Sequence, residues 1–253
     1  MGNKDKVVIL YSSGLDSFVN MNILKDLWNL QPILLFINYG QKSYEKELLY
    51  SKLTAEKYNL DLIVENVNLD VHSNLLINSS SDVCNDVKNT AEAPTYLVPY
   101  RNIFLAYRGI INAKKLGAKY VSFGFNVSEA GSYPDNTTRF LDNLNNLFIS
   151  STYYPYEPII KFISASIHFT KTELVLIGQY LNLDFSLSFS CYNNYGYECG
   201  KCPSCILKQE AFKRANNFTK EEKDKKIKEL LELIEKFKEE QLKIIWRRDV
   251  KDV

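Results

Sequence analysis

The chain has 253 residues, 45% of them hydrophobic and 24% charged, enough to bury one substantial core with a small appended module. Its 31 Lys and Arg against 30 Asp and Glu leave a net charge of +1, which argues against a broad basic surface for nucleic acid. No apolar run approaches the length of a membrane span and the N-terminal Met1-Gly2-Asn3-Lys4-Asp5-Lys6 leads straight into a strand pattern, so a cytoplasmic protein without membrane contact is expected.

In chain order, an apolar strand pattern at residues 7–11 runs into Ser12-Ser13-Gly14-Leu15-Asp16-Ser17 and then into a helical pattern at 18–30. At such a turn the first helical N–H groups lack internal partners and the positive end of the helix dipole faces outward, so small residues let a phosphate reach the backbone. Gly14 is expected to take a positive φ, the hydroxyls of Ser12, Ser13 and Ser17 to add donors, and Leu10, Tyr11 and Leu15 to flank the cradle. The spacing lacks the Gly-Lys-Ser/Thr of a Walker loop.

Further strand patterns at 33–38, 62–67 and 120–125 alternate with helical patterns at 45–58 and 103–116. That alternation predicts an α/β fold, a doubly wound, Rossmann-like parallel sheet with helices on both faces. Ligands of such sheets sit at the carboxyl ends of the strands near a switch in strand order, where the Ser12–Ser17 turn projects. Residues 71–93 read as a long polar loop or lid that carries the isolated Cys84. Helices are expected again at 138–150, with Phe140, Leu144, Leu147 and Phe148 on one face, and at 171–181.

Four cysteines follow as Cys191-x7-Cys199-x2-Cys202-x2-Cys205, a spacing that can wrap four thiolates around one tetrahedral ion. Zinc is the natural choice; disulfides fit a cytosolic chain poorly, and an iron–sulfur cluster has no electron-transfer context here. A closed four-thiolate site leaves no position for water, so the expected role is structural. Beyond Phe218, alternating Lys and Glu with Ile227, Leu230, Leu231, Ile234, Phe237, Leu242 and Ile245 near helical spacing predict an amphipathic helix that docks on its own chain or a partner subunit. The chain thus divides into a nucleotide-binding unit at 1–186, a metal segment at 187–218 and a terminal helix at 219–253.

The Ser12–Ser17 hexamer resembles the Ser-Gly-Gly-x-Asp-Ser signature of the ATP pyrophosphatases, the PP-loop enzymes that split ATP between its α and β phosphates to adenylate a substrate. Ser13 stands where the signature has its second glycine and is expected to put a side chain beside the pyrophosphate. Together with the cysteine cluster, further matches resemble the 7-cyano-7-deazaguanine synthase (QueC) family. These are Tyr39-Gly40-Gln41; Val98-Pro99-Tyr100-Arg101-Asn102 with Phe104-Leu105, similar to Val-Pro-Gly-Arg-Asn followed by Phe-Leu; Tyr133-Pro134-Asp135; and Ser190-Cys191-Tyr192.

The resemblance covers about residues 6–214 and implies a homodimer that uses ATP and Mg²⁺ to activate the carboxylate of 7-carboxy-7-deazaguanine, then ammonia to form an amide and finally a nitrile. By that resemblance Tyr39 and Gly40 join the ATP site, and Asp16 and Ser17 position magnesium and phosphates. Arg101 pairs with a phosphate or the substrate carboxylate, Lys171 with a phosphate, and Asn102, Tyr133 and Asp135 hold the base. Departures gather near the base: Tyr100 replaces a glycine, and Asn136-Thr137 replaces Cys-Arg. They leave open a paralogue, of the kind found in antiphage operons, that joins a deazaguanine to a protein amine. Two other readings are a tRNA-thiolating PP-loop enzyme, which requires a relay cysteine and an RNA surface, and a nucleotide-binding subunit without turnover.

Overall fold

The computed structural model describes residues 4–67, 98–131, 133–151, 159–193 and 196–243. Cys84, the segment expected to form the polar loop, and Ile245 lie outside them. Five parallel strands form one sheet in the order β3-β2-β1-β4-β5: β1 (Lys6–Leu10), β2 (Gln31–Asn38), β3 (Asp61–Asn66), β4 (Tyr120–Ser122) and β5 (Lys161–Ile163). The chain winds outward from β1 to β3, then crosses back through α3 (Arg101–Leu116) to place β4 on the other side of β1. The switch in strand order therefore falls between β1 and β4, with Val7, Val8 and Ile9 paired to Tyr120, Val121 and Ser122.

β1 is apolar throughout because both of its faces are covered. Val7 and Ile9 face a layer that includes α1 (Leu15–Asn22), α6 (Lys171–Tyr180), α7 (Pro203–Asn216) and α8 (Lys220–Gln241), whereas Val8 and Leu10 face α3 and α5 (Thr138–Ser151). Gly109 lets α3 lie close on the sheet, since a Cβ there would meet Val121 Cγ1 at 2.6 Å. Among the described residues the remaining α-helices are α2 (Tyr44–Tyr58) and the single turn α4 (Val127–Ala130).

Several elements depart from the sequence expectations. The helix after β1 starts at Leu15 and changes at Ile23–Leu27 to a wider π turn, closed by Trp28 N–H donating to Ile23 O at 2.9 Å. β4 ends at Ser122, and two residues on Gly124 passes close against Ser17 of α1. β5, only three residues long, offered too short an apolar run to be read as a strand. On α5 the buried residues are Leu141 and Leu144, while Leu147 is 53% exposed.

The terminal helix α8 docks on its own chain. Leu230 and Ile234 enter the same core as Phe18 and Val175, and Phe237 stacks on His168 with ring centroids 3.8 Å apart. Its start is fixed by a capping box in which Thr219 and Glu222 satisfy each other's backbone N–H groups. Among the described residues, no helix is long and apolar enough to cross a membrane.

Candidate active site

A cavity of about 230 Å³ opens at the carboxyl ends of β1, β2 and β4. Of the residues expected at a nucleotide site, Leu10, Tyr11, Ser12, Gly14, Leu15, Asp16, Ser17 and Tyr39 line it, and so do Arg101, Asn102 and Lys171. Ser13, Gly40, Tyr133 and Asp135 are not among its lining residues.

The turn after β1 takes a different backbone from the expected one. The left-handed residue is Ser13, at φ 59, while Gly14 is extended at φ −60 and ψ 157 and serves as the N-cap of α1. Ser13 is fully buried, and its Oγ has no hydrogen-bond partner among the described residues. Its side chain is buried and Ser13 is not among the lining residues, so it contributes neither a donor nor an obstruction to the cavity wall. Ser12 and Ser17 do face the cavity: Ser17 Oγ donates to Gly14 O at 3.0 Å and lies 3.4 Å from Ser12 Oγ. Gly124, which sequence reasoning missed, roofs the turn, and a Cβ there would stand 2.7 Å from Ser17 Cα and 2.8 Å from its N. No side chain fits at that crossing.

Asp16 lies in the first turn of α1 and does not cap it. Its Oδ2 accepts from Lys171 Nζ at 2.8 Å, and the same ammonium reaches Glu129 Oε1 at 2.8 Å. Burial pushes the Asp16 carboxyl up, against the attraction of Lys171, while the two carboxylates hold the Lys171 ammonium well above its usual value despite burial. Asp16 Oδ1 is buried without a hydrogen bond of good geometry beside Asn126, whose amide N and O are likewise unsatisfied. Such orphaned groups fit a ligand or cation that would complete them.

Lys171 is aimed by its helix start. Thr170 and Glu173 form a capping box on α6, and Ser128 Oγ accepts the Lys171 backbone N–H at 3.2 Å. From Glu129 the network continues: Asn136 Nδ2 donates to Glu129 Oε2 at 3.1 Å, and Asn102 Nδ2 donates to Asn136 Oδ1 at 3.2 Å and to Asp135 O at 3.1 Å. Asn102, Asn136, Glu129, Lys171 and Asp16 thus tie four helices and a 3-10 turn to one wall. Glu129 and Asn136 were not among the expected site residues; Asn136 had stood out only as a departure near the base, and Glu129 only by its nearness to Tyr133-Pro134-Asp135.

Arg101, which also lines the cavity, opens α3 after Tyr100, which is left-handed at φ 60 and 80% exposed. Burial works against the Arg101 charge, but Tyr39, Tyr192 and Asp135 outweigh it and hold the guanidinium firmly protonated. Gly40 takes φ 94, so its glycine serves the turn after β2. Gln41, from the same turn, is buried. It accepts from Tyr39 N at 2.9 Å and donates to Ile37 O at 3.1 Å and Glu47 Oε2 at 3.1 Å. Glu47, which lines the cavity, also accepts from Ser43 Oγ at 2.7 Å.

The four cysteines converge. The sulfurs of Cys191, Cys199, Cys202 and Cys205 lie within 4.8 Å of one another, and all but Cys199 are buried. Cys202 caps α7 and Cys205 lies in its first turn, where the helix dipole favours thiolates. Backbone N–H groups point at the sulfurs: Cys199 N at 3.5 Å from Cys191 Sγ, and Lys201 N and Cys202 N at 3.4 and 3.3 Å from Cys199 Sγ. This donor set fits a metal ion held by four thiolates. The metal segment also grips the turn after β1, since Phe189 N–H donates to Ser13 O at 2.9 Å and Ser190 Oγ accepts from Leu15 N at 3.3 Å.

The sequence model of a family described as queuosine biosynthesis protein QueC matches residues 6–216. The chain belongs to the QueC family. Named relatives agree. A 7-cyano-7-deazaguanine synthase from Chlorobium phaeobacteroides is 31% identical over 83% of this chain and 93% of its own length. Another from Methanosphaera stadtmanae is 30% identical over 87% of this chain and 100% of its own, and one from Polynucleobacter asymbioticus is 33% identical over 83% and 88%. The family match ends at residue 216, so α8 lies beyond it.

Proposed function

We propose that the protein is an ATP-dependent ligase that activates the carboxylate of 7-carboxy-7-deazaguanine and converts it with ammonia to the amide and then to the nitrile. The observation that carries this reading is the meeting, in one cavity at the switch point, of the Ser12–Ser17 turn, the Asp16–Lys171 pair and Arg101, within a chain that the QueC family spans.

A carboxylate is a poor electrophile, so its oxygen must first attack the α-phosphorus of ATP, forming an acyl-adenylate and expelling pyrophosphate. The N-terminus of α1, with Ser12 and Ser17, is suited to the polyphosphate, and Lys171 to the charge that develops on the leaving pyrophosphate. Asp16, with its unsatisfied Oδ1, is the residue that would hold Mg²⁺, which would neutralise the phosphates. Arg101 offers forked donors to the substrate carboxylate, fixing it for attack. Ammonia then displaces AMP from the acyl carbon to give the amide. A second ATP adenylates the amide oxygen, and loss of AMP and two N–H protons leaves the nitrile. Cys191, Cys199, Cys202 and Cys205 would hold a structural Zn²⁺ that braces the phosphate turn through Phe189 and Ser190.

One observation favours a second reading, transfer of the activated carboxylate to a protein amine. Asn136, standing where the family has Cys, faces the cavity and bonds Asn102, so the wall near the base differs from the family pattern. Purified protein with ATP, Mg²⁺ and 7-carboxy-7-deazaguanine, with and without ammonium, tests both by mass spectrometry. The first reading expects nitrile and AMP; an acyl-adenylate that ammonium does not consume favours a protein acceptor. Absence of pyrophosphate release, with neither AMP nor acyl-adenylate formed from this base, refutes both. Asp16→Ala is expected to abolish AMP release, and full release would refute the assigned phosphate site.

A further inference from the structure

Asp135 was expected to read the donor edge of the base, yet it is not among the cavity-lining residues, whereas Glu47 from α2 is. Glu47 is held in place from behind: Ser43 donates to one carboxyl oxygen and the buried Gln41 to the other, and Gln41 is itself anchored to Ile37 O and Tyr39 N. These partners fix the carboxyl without using all of its lone pairs, since each oxygen can accept two hydrogen bonds. Arg101 is close enough to act on its charge. The cavity thus presents a fixed anion and a fixed cation at the β2 and α3 side, apart from the phosphate-handling Asp16 and Lys171.

We infer that Glu47 is a specificity-determining residue that accepts the paired N–H donors of a 2-amino-6-oxopurine-type edge while Arg101 takes the carboxylate on the other ring of the same flat molecule. The inference rests on the functional reading above and deepens it. A base bearing both a carboxylate and a guanine-like edge needs a cation and a two-lobed acceptor in one cavity, and Arg101 and Glu47 are lining residues of those two kinds that lie outside the Asp16–Lys171–Glu129 ion cluster. Adenine, the other base that enters with ATP, presents one donor beside an acceptor. An ionised carboxyl, which only accepts, matches the guanine-like edge better. Burial holds the Glu47 carboxyl above its usual value, and the hydrogen bonds donated by Ser43 and Gln41 together with the Arg101 charge offset part of that rise.

The test compares AMP release from 7-carboxy-7-deazaguanine and from its analogue lacking the 2-amino group, in the wild type and in Glu47→Gln, with ATP varied separately. The wild type is expected to prefer the amino-bearing base in kcat/KM by roughly tenfold to a hundredfold, the range for a hydrogen bond to a charged group. Glu47→Gln keeps the side-chain shape but replaces one acceptor by a donor, and is expected to shrink that preference to within about threefold while leaving KM for ATP unchanged. Full preference retained by Glu47→Gln, or a rise in KM for ATP alone, would overturn the inference. Absence of turnover in the wild type would instead refute the functional reading. Glu47→Asp, which keeps the charge, separates recognition from folding: it is expected to retain discrimination at lower overall activity.

Discussion

Replacing Ser13 by glycine is expected to stabilise the protein and leave ATP binding intact. Ser13 is held at φ 59, where a Cβ costs about 1–2 kcal/mol, and its buried Oγ lacks a partner, a penalty of about 1–3 kcal/mol. Against this stand roughly 0.5–1 kcal/mol for the freer unfolded glycine and about 1 kcal/mol for the small void left behind. The expected balance is a gain of about 1–2 kcal/mol, a rise in Tm of roughly 2–6 °C for a chain of this size. Calorimetry at matched metal content measures it. Ser13→Ala keeps the left-handed strain but removes the orphan hydroxyl, so it should recover only part of the gain. Since the Ser13 side chain is fully buried and does not line the cavity, KM for ATP should stay within about twofold. A fall in Tm on Ser13→Gly, or a tenfold drop in KM for ATP, would show that the side chain works at the phosphates and refute the geometry.

Gly124→Ala should do the opposite, because its Cβ would stand 2.7 Å from Ser17 backbone; a loss of about 2 kcal/mol in chemical denaturation together with lost AMP release is expected, and neutral behaviour would contradict that crossing. Cys202→Ser should release bound metal, read by elemental analysis, and lower Tm. It should also raise KM for ATP, since the metal segment holds Ser13 O and Leu15 N. Glu173 is raised by burial but lowered further by Lys226 and Thr170, so its folded value lies below the ordinary 4.5. Its contribution is complete above that value and is lost as pH falls through the lowered one. Glu173→Gln should therefore flatten the acid slope of Tm and cost about 1 kcal/mol at neutral pH through the weakened cap; an unchanged slope would disprove the assignment.

What could be read from the sequence was what period and local chemistry dictate. β1 and β2 are buried on both faces and read as unbroken apolar runs, and the cysteine spacing led directly to a cluster whose four sulfurs meet. What escaped depends on the tertiary fold. Ser13 and Tyr100, where the resembled motifs have glycine, both proved left-handed, at φ 59 and φ 60, a backbone conformation that glycine adopts most cheaply and that these residue types did not announce. Glu47, inside the helical pattern at 45–58, and Glu129, outside any expected element, carried no signal of their own, and only the tertiary fold brings them to one cavity. Leu147 shows the converse error, in which helical spacing nominated a face one position too wide.

The helix α8, which lies beyond the family match, bears on the site through the segment that delivers Lys171. Gln241 accepts from Ser164 N at 2.8 Å and donates to Ser164 O at 3.1 Å, Phe237 stacks on His168, and Lys226 reaches Glu173 Oε1 at 2.8 Å. The helix thus touches the chain before, within and after the turn that ends at the Thr170 cap. Ser166 and Ala165, inside that stretch, are bound in turn by Asn20 of α1, the helix that carries Asp16. The Lys171–Asp16 contact is therefore set from both partners' sides, by α1 beneath and by α8 behind. A buried ammonium between two carboxylates tolerates little displacement, because each charge depends on the others for the solvation it has lost. An element outside the family match that fixes this segment to α1 acts on the most demanding geometry in the cavity, even though none of its own side chains lines it.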